Sequence, residues 1–313
     1  MKKIFCVAAA IAAAVIMSVA AYADDGYFFA ESAMYSEGKL YTNIEDCGDI
    51  SLPDAYTFYV ADSYILYVTR NVENRTSVLH CCNKDMTNDR IIVEDIWGSD
   101  KLYYCDNIVY YTYMSNSKEN IYKVDVKTGQ STMLVSYPYS EGGVSLSGIE
   151  NGYLYYSVGN FSNNSKIYKI NINNPQDIRL MYLSSKIYAY SVNVENNKLY
   201  INTSDSIKVI DTETGKLINS LTDNGSLIAG VYNDTVYLSD DFSVWRIGSD
   251  NVLGYMSTND KLKENTAVEL SIMQDNIIYF TLNPADFYGY IPGNGKRAVC
   301  TFDVLTNKWE IFE

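Results

Sequence analysis

The stretch Asn196–Tyr200, NNKLY, decides the fold because it recurs along the chain. Related copies are DNIVY at Asp106–Tyr110, NGYLY at Asn151–Tyr155, NDTVY at Asn233–Tyr237 and DNIIY at Asp275–Tyr279, with a looser one, DSYILY, at Asp62–Tyr67. Each is a polar pair, one further residue, an aliphatic residue and then tyrosine, the looser copy having one residue more. Asn, Asp and Gly tolerate positive φ and bond to their own backbone, so every copy announces a tight hairpin turn. The tyrosines Tyr67, Tyr110, Tyr155, Tyr200, Tyr237 and Tyr279 are separated by 43, 45, 45, 37 and 42 residues.

A second motif follows each tyrosine: IYKVDVKTG from Ile121, IYKININN from Ile167, IKVIDTETG from Ile207 and VCTFDVLTN from Val299, with divergent forms after Val78 and Val244. Alternating β-branched and aromatic positions, then Asp or Asn and a Thr-Gly or Thr-Asn turn, describe a third strand folding back into a fourth. A period near 40–45 residues built from four strands is the mark of a β-propeller, in which each unit buries its faces against its neighbours. The spacing predicts an all-β chain of six four-stranded blades over residues 54–313. Residues 24–53 hold a further copy, EGKLY at Glu37–Tyr41, close before Tyr67. That segment reads as a hairpin covering the seam or as a shortened seventh blade. KWEIFE at Lys308–Glu313 reads as the outer strand of the last blade.

These tyrosine-rich hairpins with IYKVD-type strands resemble the extracellular propellers with YWTD-type or TolB-type repeats, including bacterial secreted propellers of undefined role. The resemblance spans most of the chain and implies the fold and a binding or scaffolding role more than any reaction.

The N-terminus carries Lys2 and Lys3, an apolar run from Ile4 to about Val19, and Ala21-Tyr22-Ala23 before Asp24. This is the pattern of a secretory signal peptide over residues 1–23. The expected product is secreted, extracellular or periplasmic, with no membrane insertion after cleavage. Cleavage removes two lysines and no acid, taking the net charge from −14 to −16. Such a balance argues against nucleic acid or anionic lipid as partner. Calcium is compatible with it, although no motif nominates a site.

Catalytic signatures fail on inspection. His80 is the one histidine, and the repeat puts it in a strand at the position of Tyr122 and Cys300. That favours a structural ring over a general base, which would need a nucleophile and an orienting acid nearby. In GVSLSG at Gly143, Ser147 stands where a nucleophile elbow needs glycine. SDDFSVW at Ser239 is one degenerate Asp-box, and no HExxH, Walker or dinucleotide fingerprint occurs. Asp125, Asp211 and Asp303 recur at one repeat position, which points to turn hydrogen bonding. Removal of Cys6 leaves Cys47, Cys81, Cys82, Cys105 and Cys300, an odd number without CxxC spacing. Cys47 with Cys300 is one pairing that would join the N-terminal segment to the last blade.

Among the 30 tyrosines, those that follow the period are packing residues. Departures from the period are therefore more informative. The clearest is NPADFYGYIPGNGK at Asn283–Lys296, a long second-to-third-strand loop with Phe287, Tyr288 and Tyr290 between Pro284 and Pro292. These three aromatics are the candidate binding residues, for a protein, peptide or glycan. The function expected is non-catalytic binding or scaffolding. The alternative is an extracellular hydrolase or lyase using channel carboxylates, with or without calcium.

Overall fold

The structure, a computed structural model, describes residues 33–312 apart from 37–38, 43–48, 53–54, 62, 72, 95, 97–101, 161–163, 185–188, 204–205, 223–226, 241–242, 248–251, 256–265, 275 and 285–297. Strands dominate it, and among the described residues the single helical element is one 3-10 turn, Tyr139–Glu141. No helix there is long and apolar enough to cross a membrane.

The chain is a six-bladed β-propeller. The first blade is β4–β7 (Thr57–Val60, Tyr64–Asn71, Thr76–Asn83, Arg90–Val93) and the second β8–β11 (Tyr103–Cys105, Ile108–Ser115, Lys118–Asp125, Ser131–Pro138). The third is β12–β15 (Gly143–Glu150, Tyr153–Asn160, Asn164–Asn171, Ile178–Ser184), and the fourth β16–β19 (Ala189–Glu195, Lys198–Thr203, Ser206–Asp211, Leu217–Thr222). The fifth is β20–β23 (Leu227–Tyr232, Thr235–Asp240, Ser243–Arg246, Val252–Tyr255), and the sixth β24–β27 (Thr266–Gln274, Ile277–Pro284, Ala298–Asp303, Lys308–Phe312). All six are antiparallel meanders whose strands follow chain order from one edge to the other. Before them lies a three-stranded sheet of β1 (Ala33–Ser36), β2 (Lys39–Thr42) and β3 (Ile50–Ser51), with β3 parallel to β2.

The hairpin turns are the predicted ones. Asp106 and Asn107, Asn151 and Gly152, Asn196 and Asn197, and Asn233 and Asp234 all have φ between 49° and 75°, the two-residue turn whose twist matches that of the strands. After the turn, successive side chains leave opposite faces of the sheet, so the aliphatic residue and the tyrosine face different neighbours. In the fourth blade, Leu199 packs back on Tyr155 and Ile167 while Tyr200 packs forward on Val236 and Leu238. The same division sends Tyr110 forward onto Leu154 and Tyr156, and Tyr237 onto Ile278 and Phe280. Burial pushes the Tyr110 phenol up to about 12, as expected for a ring sealed between sheets.

The first blade corrects the repeat register by one residue. Its turn closes through Ala61 and Tyr64, so Leu66, and not Tyr67, takes the place of Tyr110 and packs forward on Val109. Tyr67 corresponds to Tyr111 and packs backward, on Tyr41 and Leu52 of the N-terminal sheet.

That sheet lies in the seam. Leu40 is buried against Tyr279 and Val299 of the last blade, and Tyr41 against Phe58, Ile65 and Tyr67 of the first. The adjacent pair therefore makes the same backward and forward contacts as Leu199 and Tyr200.

A recurrent cation ties blades together. Residues just past the third strand give their N–H to the hairpin turn of their own blade: Val126 to Asn107, Ile172 to Gly152 and Thr212 to Asn197. Their carbonyls accept from the preceding blade, Val126 from Arg90 Nη2 at 2.7 Å, Ile172 from Lys123 Nζ at 3.5 Å and Thr212 from Lys169 Nζ. Lys169 is buried, which holds its ammonium below the usual lysine range. Around the axis the first strands of neighbouring blades lie side by side, and glycine sets the approach at two places. A Cβ on Gly148 would lie 2.5 Å from Val194 Cγ1, and one on Gly230 2.1 Å from Met273 Cβ.

Leu40→Ala and Tyr155→Ala test the seam and the blade packing together. Each should cost about 2–5 kcal/mol in reversible denaturant unfolding, as for a large buried side chain in a core. A Leu40→Ala midpoint equal to that of the native chain would show that the N-terminal sheet is a decoration on the ring.

Candidate functional site

The hairpin turns and the third-to-fourth-strand turns gather on one face of the ring, and their acids are engaged in holding it. Glu150 accepts the Asn197 N–H at 3.2 and 3.1 Å, and Glu195 accepts those of Asn233 and Asp234 at 3.0 and 3.2 Å. In both cases a carboxylate at the end of an innermost strand caps the turn of the following blade. Asn151 Nδ2 donates to Asn197 Oδ1 at 2.7 Å, and Lys198 pairs with Asp234 at 2.6 Å.

The recurrent aspartates close turns as expected. Asp125 Oδ1 accepts the Thr128 N–H at 2.8 Å, Asp211 Oδ1 that of Thr214 at 2.7 Å, and Asp303 Oδ1 those of Leu305 and Thr306. Asn171 does the same for Asn173 and Asn174. The Thr128 N–H and hydroxyl hold Asp125 below the usual carboxylate range, and the Thr214 hydroxyl and N–H hold Asp211 there.

Chemistry-bearing side chains that depart from the repeat collect in the first blade. His80 lies opposite Tyr67 and stacks on it at 4.7 Å, as Tyr122 stacks on Tyr111 and Tyr168 on Tyr156. Its packing role is the one the repeat implied. Its nitrogens are both engaged: Nδ1 is 3.2 Å from Asp89 Oδ2, and Nε2 is 3.1 Å from Thr69 Oγ1. Hydroxyl, imidazole and carboxylate thus stand in the order of a general-base relay, the nearby partners that sequence reasoning did not find. Two residues on, Cys82 Sγ donates to Met86 Sδ at 3.7 Å.

Cys81 and Cys82 are buried free thiols belonging to opposite faces of the first blade, Cys81 in the contact with the second blade and Cys82 in that with the N-terminal sheet. Cys300 is a buried free thiol in the core between the last two blades, so the suggested Cys47–Cys300 pairing is not made. Phe287, Tyr288 and Tyr290 lie outside the described residues. Among the described residues no group of three or more His, Cys, Asp and Glu side chains is placed to hold a metal ion.

No family model matches the chain, and no curated protein does. Solved structures do. The β-propeller domain of the trilobed protease from Pyrococcus furiosus, described as having an open velcro topology, aligns over 82% of this chain and 80% of that one, with TM-score 0.56 and 13% identity. An acylaminoacyl peptidase bound to a chloromethyl ketone aligns over 79% of this chain and 44% of its own, with TM-score 0.54 and 9% identity. TolB from Acinetobacter baumannii aligns with TM-score 0.48 and 17% identity over 72% of this chain, which spans 61% of TolB. At such identities the likeness is one of fold.

The aspartate turns give a pH test. A carboxylate held low in the native state makes the unfolded chain the better proton binder, so its stabilisation is complete above the unfolded value of about 3.9 and is lost as pH falls through the native value. Asn171 shows that asparagine makes the same turn. The stability gap between the native chain and Asp211→Asn should be present at about pH 6 and close below about pH 4. A gap that persists to about pH 2 would mean that the carboxylate charge contributes nothing to the turn.

Proposed function

We propose that this chain is an exported, non-catalytic β-propeller that binds or scaffolds a protein, peptide or glycan through loops departing from the repeat. The observation that carries the reading is the use of the acids. Asp125, Asp211, Asp303, Glu150, Glu195 and Asp234 each hold a turn or a neighbouring blade. An enzyme working through channel carboxylates would need acids free to meet substrate. The signal-like N-terminus and the acidic balance support export.

The contact residues proposed are Phe287, Tyr288 and Tyr290. Strands β25 and β26 pair antiparallel with Leu282 opposite Ala298, so the segment between them joins the second strand of the last blade to the third. Loops on a rigid scaffold are the usual carriers of function, and aromatics stiffened by flanking prolines contact a sugar ring or peptide at low entropic cost.

A screen of the exported chain against glycans and secreted proteins, with and without calcium, supplies the ligand. The triple variant Phe287→Ala, Tyr288→Ala, Tyr290→Ala should keep the native melting temperature and lose binding. Unchanged binding would exclude this site, and a lowered melting temperature would make the loop a cover for the blade edge. Turnover of a screened glycan or peptide, abolished by substitution of one channel aspartate, would replace the binding reading with the hydrolase.

A further inference from the structure

The corner of the first blade that holds Cys82 has a composition unlike its counterparts. Where Cys82 sits, at the end of the third strand, four of the other blades carry Val124, Ile170, Ile210 and Phe302, all buried and apolar. The turn that follows is also unlike theirs. Asn83 N–H bonds to the Thr87 carbonyl, Met86 N–H to the Asn83 carbonyl, and Asp85 Oδ1 accepts the Thr87 N–H at 3.0 Å and hydroxyl at 2.5 Å. Met86 itself adopts φ 63°, a region uncommon outside glycine, asparagine and aspartate. The turn so locked returns the thioether to the strand, 3.7 Å from the Cys82 sulfur. Cys82 is buried, while Met86 remains 40% exposed, so the sulfur pair is reached from solvent on the methionine side.

Thiolate and thioether are soft donors that select monovalent copper over hard cations. One thiolate also neutralises one monovalent cation. The carboxylates of Asp89 and Asp85 act on the Cys82 sulfur with negative potential, which favours a cation there. His80 keeps both nitrogens on Asp89 and Thr69 and supplies no ligand.

We propose that Cys82 and Met86 form a two-sulfur site for a soft monovalent cation, Cu(I). Binding replaces the Cys82 S–H bond by S–Cu and releases the proton to water.

The reduced full-length chain, kept anaerobic, is titrated with Cu(I) from a chromophoric chelator, following chelator competition and the ultraviolet thiolate-to-copper absorption. The native chain should take one tightly held equivalent. Met86→Leu, at a half-exposed position that leaves the core intact, should weaken that equivalent at least tenfold, and Cys82→Ser should abolish it. Cys81→Ser, the adjacent thiol on the opposite face, should leave it unchanged. Native affinity in Met86→Leu would overturn the site even if Cys82→Ser fails to fold. Loss of the equivalent in Cys81→Ser would overturn it in favour of the other thiol.

Discussion

A propeller blade is a sheet that is apolar on both faces, and this chain meets that constraint with two adjacent residues. Because the strand period is two, the aliphatic residue that follows the hairpin turn and the residue beside it, a tyrosine in all blades but the first, where it is Leu66, leave by opposite faces, one to each neighbour. No blade can satisfy both faces alone, so the stability of each depends on the presence of the next. The ring must therefore close. Here the closure is made by a sheet of three short strands, in which Leu40 and Tyr41 reproduce the backward and forward contacts of Leu199 and Tyr200. Polar contacts then fix the blades relative to one another. Lysine or arginine from one blade reaches a carbonyl of the next, and a glutamate at the end of an innermost strand caps the following turn.

The fold was legible because its determinants are local. A two-residue turn, an alternating strand and an aspartate three residues before a threonine are each written in a handful of consecutive letters. The blade count and the turn roles of Asp125, Asp211 and Asp303 followed from that. The register slip in the first blade had a local cause too: DSYILY places two residues, Tyr64 and Ile65, before Leu66, and a second tyrosine takes the eye one place too far. Contacts between blades were not legible, since Lys169 and Thr212 are brought together by the packing of two sheets, and no pattern within either sheet announces it. A signal was nevertheless present. The lysine of the IYK motif recurs between an aromatic and an aliphatic residue of the third strand, and glutamate directly precedes the turns at Asn151 and Asn196. The partners of His80 came from different strands and a turn, beyond the reach of spacing.

Repetition and chemistry are divided along the chain. Residues that recur are occupied in making the ring: the tyrosines as packing, the aspartates as turn closures, the cations as ties. Residues that break the pattern are the ones on which the two proposals rest, the aromatic stretch Asn283–Lys296 in the sequence of the last blade and the sulfur-bearing corner of the first. Both interruptions belong to the two blades that flank the N-terminal sheet.

Every blade is made of four strands consecutive in the chain, and none borrows a strand from the far terminus. A gene that gains or loses one such unit therefore yields a chain whose remaining units keep their threading, and the number of blades can change in a single duplication or deletion. What must be retuned is the seam, where a small sheet adapts by side-chain packing and has no partner strand to lock. Circumference becomes an evolvable quantity, and the short N-terminal sheet is the adjustable wedge that lets it vary.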